Sequence, residues 1–512
     1  MPSSLKNAVV SDLRIGFQNF VQQTRPVPCD VVTGAVPQWL RNSALYRTAP
    51  GIYDYQVKDS EKQQSIHHWF DGLGTMHQFH IRDDGSVWYH NKLTAEGALA
   101  DLQTGRQPIN FGQPHDPCVT IFGKVAAVIN TVFNDKPTAI ETNNLNVTLS
   151  VLPTSEPNTL AIKSDFNCLQ FVDADTFETK KFCTYDTYDK RLDGMISAAH
   201  EEYDPLTQTY FNLNIDRMGK HTGVFSLDRD GSVREATINV PAARPSSYIH
   251  SFSSTTKYLV VMAWPCFANM LKVLFHHNYA AGLTWQPEKQ TLFYVVDRAT
   301  MTHVATYEST QAFFCFHTIN AFDDGDDIVL DLVHHPDSSI INQLNVKTIV
   351  GGQGTLDASQ VARFRLQAVS MATTTTPFRK VDRPLLPTQG VSVELPTINE
   401  RFRHSPNYRF VYGASSNRGA SMWDSVVKVD MATGATLRWD AGGDGLFPGE
   451  PIFVPHPMQD DEDDGVLLSV VLDTHAKRSF LYVLDAKDLA VVAKVAAPVV
   501  VPLGFHGMHK TK

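Results

Sequence analysis

Helical periodicity is scarce in this chain. Short runs of β-branched and aromatic residues are abundant instead, each bounded by Gly, Asp, Asn or Pro. Lys257 to Met262, Leu292 to Val296, Asp327 to Val333 and Gly465 to Val471 are examples. Runs of this kind between turn-forming residues read as strands.

In six places an apolar strand ends in an Asp-containing turn and then restarts. The turns begin at Asp83, Asp173, Asp228, Asp297, Asp430 and Asp485. An Asp side chain can cap its own turn, so each instance marks a hairpin. The intervals between them are 90, 55, 69, 133 and 55 residues. Taken as one or two units each, they suggest a repeat of roughly 65 residues. Seven such units with decorated loops fill the chain as a radial array, whose sheet edges are short and protected. The expected fold is therefore all-β, a seven-bladed β-propeller with helices and loops capping one face. Residues Gln343 to Thr376, with Gly351-Gly352 and the run Thr373 to Thr376, read as a long loop excursion. Residues 1–25 read as an N-terminal arm outside the core, and residues 26–512 as a single propeller domain.

Composition narrows the function classes. The 512 residues are 43% hydrophobic and 19% charged, as in an ordinary soluble domain. The net charge is −10, and part of the surplus is local, in Asp460-Asp461-Glu462-Asp463-Asp464. That balance argues against a dedicated nucleic-acid binder. No apolar stretch approaches the roughly 20 residues that span a bilayer. Met1 to Phe20 has neither a signal-peptide core nor an Arg-rich transit pattern. The six cysteines (Cys29, Cys118, Cys168, Cys183, Cys266, Cys315) show no CxxC spacing. Reduced thiols in the cytoplasm are therefore expected, and the Asn146-Val147-Thr148 sequon is read as unused.

Histidine is the unusual component, with 20 in the chain. Adjacent pairs such as His67-His68, His276-His277 and His334-His335 point to opposite faces of a strand, so neither member can join the other on one ion. No HExxH and no Cys/His zinc pattern occurs. Any metal ligands must come from far apart, and a propeller provides for that: one residue from the inner strand of each blade can converge on the axis. Isolated candidates are His200, after Met195 to Ala199; His250, in Ser247-Tyr248-Ile249-His250-Ser251-Phe252; His317, in the aromatic run Phe313 to Ile319; and His506, in Leu503-Gly504-Phe505-His506-Gly507. Their spacings of 50, 67 and 189 residues correspond to about one, one and three blades. Taken singly, each is more often a satisfied core or turn histidine than a ligand. Glu394 and Glu450 sit in apolar strands, where an unpaired carboxylate is costly. A ligating imidazole passes its second N–H to such a group. Four neutral imidazoles suit iron and leave it full positive charge with two open positions.

These residues resemble the carotenoid cleavage oxygenase family from about Val36 to the end of the chain. Val36-Pro37-Gln38-Trp39-Leu40 with Leu45-Tyr46-Arg47 to Gly51, His68-Trp69-Phe70-Asp71-Gly72, and Asp116-Pro117-Cys118 are similar to its motifs. So is Glu450-Pro451-Ile452-Phe453-Val454-Pro455. The resemblance implies that His200, His250, His317 and His506 ligate Fe(2+), with O2 as co-substrate. F-H-G favours His506 over His509. It further implies that Glu394 and Glu450 orient two of the histidines. The third orienting acid is Glu in the family; aligning back from Asp175-Thr176-Phe177-Glu178 puts the shorter Asp165 there. Glu141, in Glu141-Thr142-Asn143, mimics that motif but lies too early.

Within the family the chain looks most like fungal enzymes that split carotenoids, torulene or apocarotenals to aldehydes such as retinal. The stilbene-cleaving branch is the alternative. Those relatives grip a phenol with a Tyr and a Lys; here Phe111 occupies the Tyr position and Lys163 lies near the Lys position, and both are candidate substrate contacts. A further alternative is the non-oxidative isomerase branch, which turns over retinyl esters. The expected partner is a small apolar polyene. Residues 264–275 fall where relatives dip into a membrane, so they read either as a peripheral contact with an internal membrane or as a core helix over the propeller face. No nucleic acid or obligate protein partner is implied.

Overall fold

In a computed structural model of the chain, residues 13–61, 63–106, 110–112, 140–216, 221–242, 244–356, 359–382, 391–416, 419–440 and 445–512 are described. Among them, seven sheets follow one another around a ring, with two short ribbons beside them. The seven-bladed β-propeller read from the Asp turns is the fold observed.

The turns themselves explain the repeat. Blade 2 runs through Thr148–Ser150, Thr159–Lys163, Leu169–Asp173 and Thr179–Cys183. Its last hairpin is closed by Asp173, whose Oδ1 accepts the N–H of Asp175 and of Thr176, each at 3.0 Å. Asp297 and Asp430 close the equivalent hairpins of blades 4 and 6, and Asp485 that of blade 7, in the same way. A short acceptor beside its own turn N–H groups fixes the reversal wherever it occurs.

The apolar runs lack alternation because each blade is covered on both faces. In Gly465–Asp473 of blade 7, Leu468 and Val470 pack with Leu45, Phe79 and Leu481, towards blade 1. Leu467 and Val471 pack with Tyr412 and Val426, towards blade 6. Side chains on both sides of the pleat are thus core.

The ring closes at two places. Asp30–Gly34 adds to the outer edge of blade 7 beside Val491–Ala496, and Gly507–Thr511 pairs with Ser43–Ile52 of blade 1. Among the described residues blade 5 has three strands, Thr318–Asp324, Asp327–His334 and Gln360–Leu366. The last corrects the reading of Gln343 to Thr376 as a loop. Arg363 and Arg365 obscure the strand pattern in sequence, but they are paired with Asp331 and with Asp324 and Asp327. The excursion also holds the helix Val346–Val350.

The arm boundary changes as well. Leu13 and Phe17, on the 3-10 helix Leu13–Phe17, are buried in the main core, where Phe17 packs edge-on to Tyr53 and Trp69. An apolar turn of this kind has more to gain from the core than from solvent. The segment 264–275 divides between its two readings. Trp264 and Val273 are fully buried, whereas Leu271 on the helix Met270–His276 is 65% exposed. Among the described residues no helix is long and apolar enough to cross a membrane.

Candidate metal centre

The first strand of each blade delivers one residue to a common locus. His200 lies two residues before Glu202–Asp204, His250 three before Ser253–Ser254, His317 one before Thr318–Asp324 and His506 one before Gly507–Thr511. Glu394 opens Glu394–Thr397 of blade 6, and Glu450 lies between Leu446–Pro448 and Ile452–Pro455 of blade 7. Val147, next to Thr148–Ser150 of blade 2, lines the same cavity. These edges are therefore the inner ones, and the axis is where distant residues meet.

The structure brings all four candidate histidines together, with one ring nitrogen of each within 4.8 Å of the others. His200 Nε2 lies 3.0 Å from His506 Nε2, and His317 Nε2 lies 3.3 Å from it. Three rings are held from behind. His250 Nδ1 is 2.9 Å from Asp165, His317 Nδ1 is 2.7 Å from Glu394, and His506 Nδ1 is 2.8 Å from Glu450. Each carboxylate accepts the Nδ1–H, which leaves an Nε2 lone pair facing inward.

The lone pairs of His317 and His506 then oppose one another across 3.3 Å. Such an arrangement needs a shared electrophile. Nitrogens bound at about 2.1 Å and at right angles to one another stand about 3 Å apart, so the spacing fits one divalent transition-metal ion. Burial pushes His317 down to about 4, against the opposing pull of Glu394. It also holds His200 well below the usual histidine range, with the neighbouring histidines adding to the effect. Both rings are neutral near pH 7, as ligands must be. Burial alone would raise Glu394, but hydrogen bonds from His317 and His335 outweigh it and keep the carboxylate charged. For Glu450 the same desolvation is outweighed by His506, Arg47 and the Gly507 N–H.

Asp165 reaches its histidine despite being one methylene short of the usual Glu. It also accepts from Tyr248 Oη at 2.8 Å and from the Ala199 N–H at 3.1 Å. Ala199 immediately precedes His200, so one carboxylate orients one ring and anchors the backbone beside another. The two candidate substrate contacts are placed differently from expectation. Lys163 is fully buried, its ammonium paired with Glu201 and 3.5 Å from Tyr210 Oη, and it is not on the cavity wall. Phe111 packs behind Phe70 at 4.9 Å and beside Tyr248 at 5.8 Å, also off that wall. Glu141 lies apart, on the 3-10 helix Ile140–Thr142. Asp116-Pro117-Cys118 lies outside the described residues.

Three residues of the centre went unread in sequence. His335 hydrogen-bonds the second oxygen of Glu394, Arg47 donates to Glu450 at 2.8 Å, and Tyr248 holds Asp165. Tyr248 sits two residues before His250, and Arg47 lies inside an aligned motif, which were the available signals. His335 offered none, because only the fold brings it to Glu394.

Beside the histidines lies a narrow apolar cavity, walled by Trp69, Phe70, Phe316, Leu344, Trp423 and Phe505 among others.

The family profile described as "Retinal pigment epithelial membrane protein" matches residues 17–511. A Neurospora crassa carotenoid dioxygenase is 29% identical, over 96% of this chain and 90% of the relative. A Fusarium fujikuroi torulene dioxygenase is 28% identical, over 93% and 90%. The mouse beta,beta-carotene 15,15'-dioxygenase is 26% identical, over 96% and 90%. Among solved structures, a variant of the Synechocystis apocarotenoid oxygenase superposes with a TM-score of 0.79 at 22% identity, covering 98% of this chain and 99% of that one. At that identity the likeness speaks for the fold.

Proposed function

The chain belongs to the retinal pigment epithelial membrane protein and carotenoid oxygenase family, and from that premise we propose that it is an iron(II)-dependent dioxygenase cleaving one C=C bond of a carotenoid or apocarotenoid. The alkene and O2 are consumed, and the two carbons of the broken bond become two carbonyl groups, each carrying one oxygen of O2. The supporting observation is the four-histidine cluster opening onto an apolar aromatic cavity.

His200, His250, His317 and His506 would hold the ion. Bound iron(II) supplies the unpaired electrons that let triplet O2 react with a closed-shell alkene. The protein's own part is orientation. Asp165, Glu394 and Glu450 keep three Nδ1 protons, so that three Nε2 lone pairs stay directed inward. The Phe316 and Phe505 rings exclude water next to the ligands, and the cavity walls hold the polyene by contact rather than by charge. Exposed Leu271 supports a peripheral lipid contact through 264–275, where such a substrate is dissolved.

Stilbene cleavage is not favoured. Phe111 has no hydroxyl, and the Lys163 ammonium is already engaged by Glu201. The test is anaerobic purification with metal quantification, then O2 uptake with β-carotene, an apocarotenal and resveratrol. One iron per chain, with aldehydes formed from a polyene and none from resveratrol, is expected. Iron-loaded protein that takes up no O2 with either polyene would refute the reading.

A further inference from the structure

The histidine cluster borders two cavities of opposite character. His250 lines the apolar one alone, His200 lines alone a second cavity of about 150 Å³, and His317 and His506 line both. The second cavity is polar and has room for several waters. Glu201, Glu202, Glu400 and Arg403 stand on its wall. Exposure falls along that wall towards the ligands. The Glu400 side chain is 63% exposed, that of Arg403 30% and that of Glu202 only 7%. The polar cavity therefore runs from solvent to the histidines.

Its charge suits a cation. Lys163 pairs with Glu201 from outside the wall, and Arg47 does the same for Glu450, which also lines the cavity. Glu202 and Glu400 are left to share one guanidinium, with Arg403 3.2 Å from the first and 2.5 Å from the second. Two carboxylates against one cation give the passage a negative surplus. The apolar cavity offers nothing comparable, because its two acids, Asp165 and Glu394, are engaged by His250, Tyr248, His317 and His335. A divalent cation that trades its water for a wall of aromatic rings pays heavily in desolvation. At the inner end of the polar cavity, His317 and His506 are more than nine-tenths buried, and their Nε2 lone pairs face one another without a donor. His200 is the least buried of the four, and among the described residues no carboxylate accepts from its ring. The ligand that no acid pins is thus the one on the polar side alone.

We propose that this polar cavity is the passage by which a divalent cation reaches and leaves the four histidines, with Glu202 and Glu400 drawing the hydrated ion inward and His200 as the first ligand it meets. The inference rests on the four histidines holding the ion. Metal and polyene then approach the centre through different cavities, and the polyene cavity need never admit a charge.

The experiment follows cobalt(II) by the visible absorption that imidazole ligation gives it. Uptake is timed by stopped flow on the full chain stripped of metal, release on the loaded chain in excess chelator, and Kd is measured separately by competition. Thr397, on the same wall, is replaced by a bulkier residue. Thr397→Phe should slow uptake and release severalfold by the same factor and leave Kd unchanged, because narrowing a passage alters entry and exit alike. Glu400→Gln removes the negative surplus at the mouth. It should slow uptake about 2- to 5-fold at low ionic strength and flatten the dependence of the rate on salt. Glu400 is exposed, so its substitution tests the passage should the Thr397 variant fail to fold. Wild-type rates in Glu400→Gln at every salt concentration, or a Thr397→Phe protein with wild-type rates or with an altered Kd and wild-type uptake, would overturn the passage and leave the metal centre intact. A wild-type chain that takes up no cobalt would overturn the metal centre, and the passage with it.

Discussion

His335 and His317 share one carboxylate: Glu394 accepts from His317 Nδ1 at 2.7 Å through Oε2 and from His335 Nε2 through Oε1. Both oxygens are thereby directed, and the carboxylate plane is set from the side remote from the metal locus. His335 lies on the strand end of blade 5, and Phe314 pairs with it through the backbone, so the support is built into the sheet. Glu394→Gln would remove the charge and offer an N–H where His317 needs an acceptor. Metal affinity should fall about 10- to 100-fold, measured by competition with a chelator. His335→Phe should produce a smaller loss, because the hydrogen bonds from His317 and from the Leu395 N–H to Glu394 survive. Equal affinity in wild type and Glu394→Gln would show that the carboxylate does not tune the site.

Asp165 works only with its neighbours. Tyr248→Phe removes the 2.8 Å hydrogen bond that helps fix the carboxylate against His250. The cobalt-loaded variant should show an altered visible spectrum and weaker metal retention, with little change in melting temperature. An identical spectrum would mean that Ala199 and His250 alone position Asp165.

Lys163 is expected to act in stability rather than substrate contact. Its side chain is 1% exposed and that of Glu201 is 17% exposed. Lys163→Met leaves Glu201 without its partner and should cost about 3–5 kcal/mol in denaturant unfolding. Combining it with Glu201→Gln should recover much of that loss. A Lys163→Met protein as stable as the wild type would contradict this role.

His77 makes stability depend on pH. It is fully buried between Thr75 Oγ1 at 2.9 Å and Tyr89 Oη at 2.8 Å, and burial holds it down at about 3. Below the ordinary histidine value the unfolded chain takes up a proton that the folded chain refuses. Stability is therefore present above about pH 6.5 and is lost as pH falls from there towards 3. Melting temperatures across that range should fall less steeply for His77→Gln than for the wild type. Parallel curves would assign the acid sensitivity to other groups.

Sequence was informative where a feature repeats or stands out locally. The Asp turns recur at the same hairpin of six blades, so they disclosed the repeat. The isolated histidines each precede an inner strand, so aromatic or small-residue context marked them. Blade 5 carries no such turn because, among the described residues, its sheet has no fourth strand to form that hairpin, and its third strand reads as loop because Arg363 and Arg365 interrupt the apolar pattern. Ring closure was illegible for another reason: Asp30–Gly34 pairs with Val491–Ala496, and nothing in either segment specifies the other. Arg47 and Glu450 are 403 residues apart, and Lys163 and Glu201 lie on different blades, so their pairing is a product of the fold. The surplus of buried partners around each charge could be expected in kind, though not by name.

The strand that closes the ring, Gly507–Thr511, begins at the residue after His506. On a translating ribosome, six blades and most of a seventh can emerge while the fourth imidazole is still unmade. The four-histidine set is therefore complete only after blades 2 to 7 and most of blade 1 have been made, and a nascent chain stalled before that strand would expose an unsealed edge and an incomplete ligand set together. The last of the four imidazoles arrives together with the strand that fastens the circle.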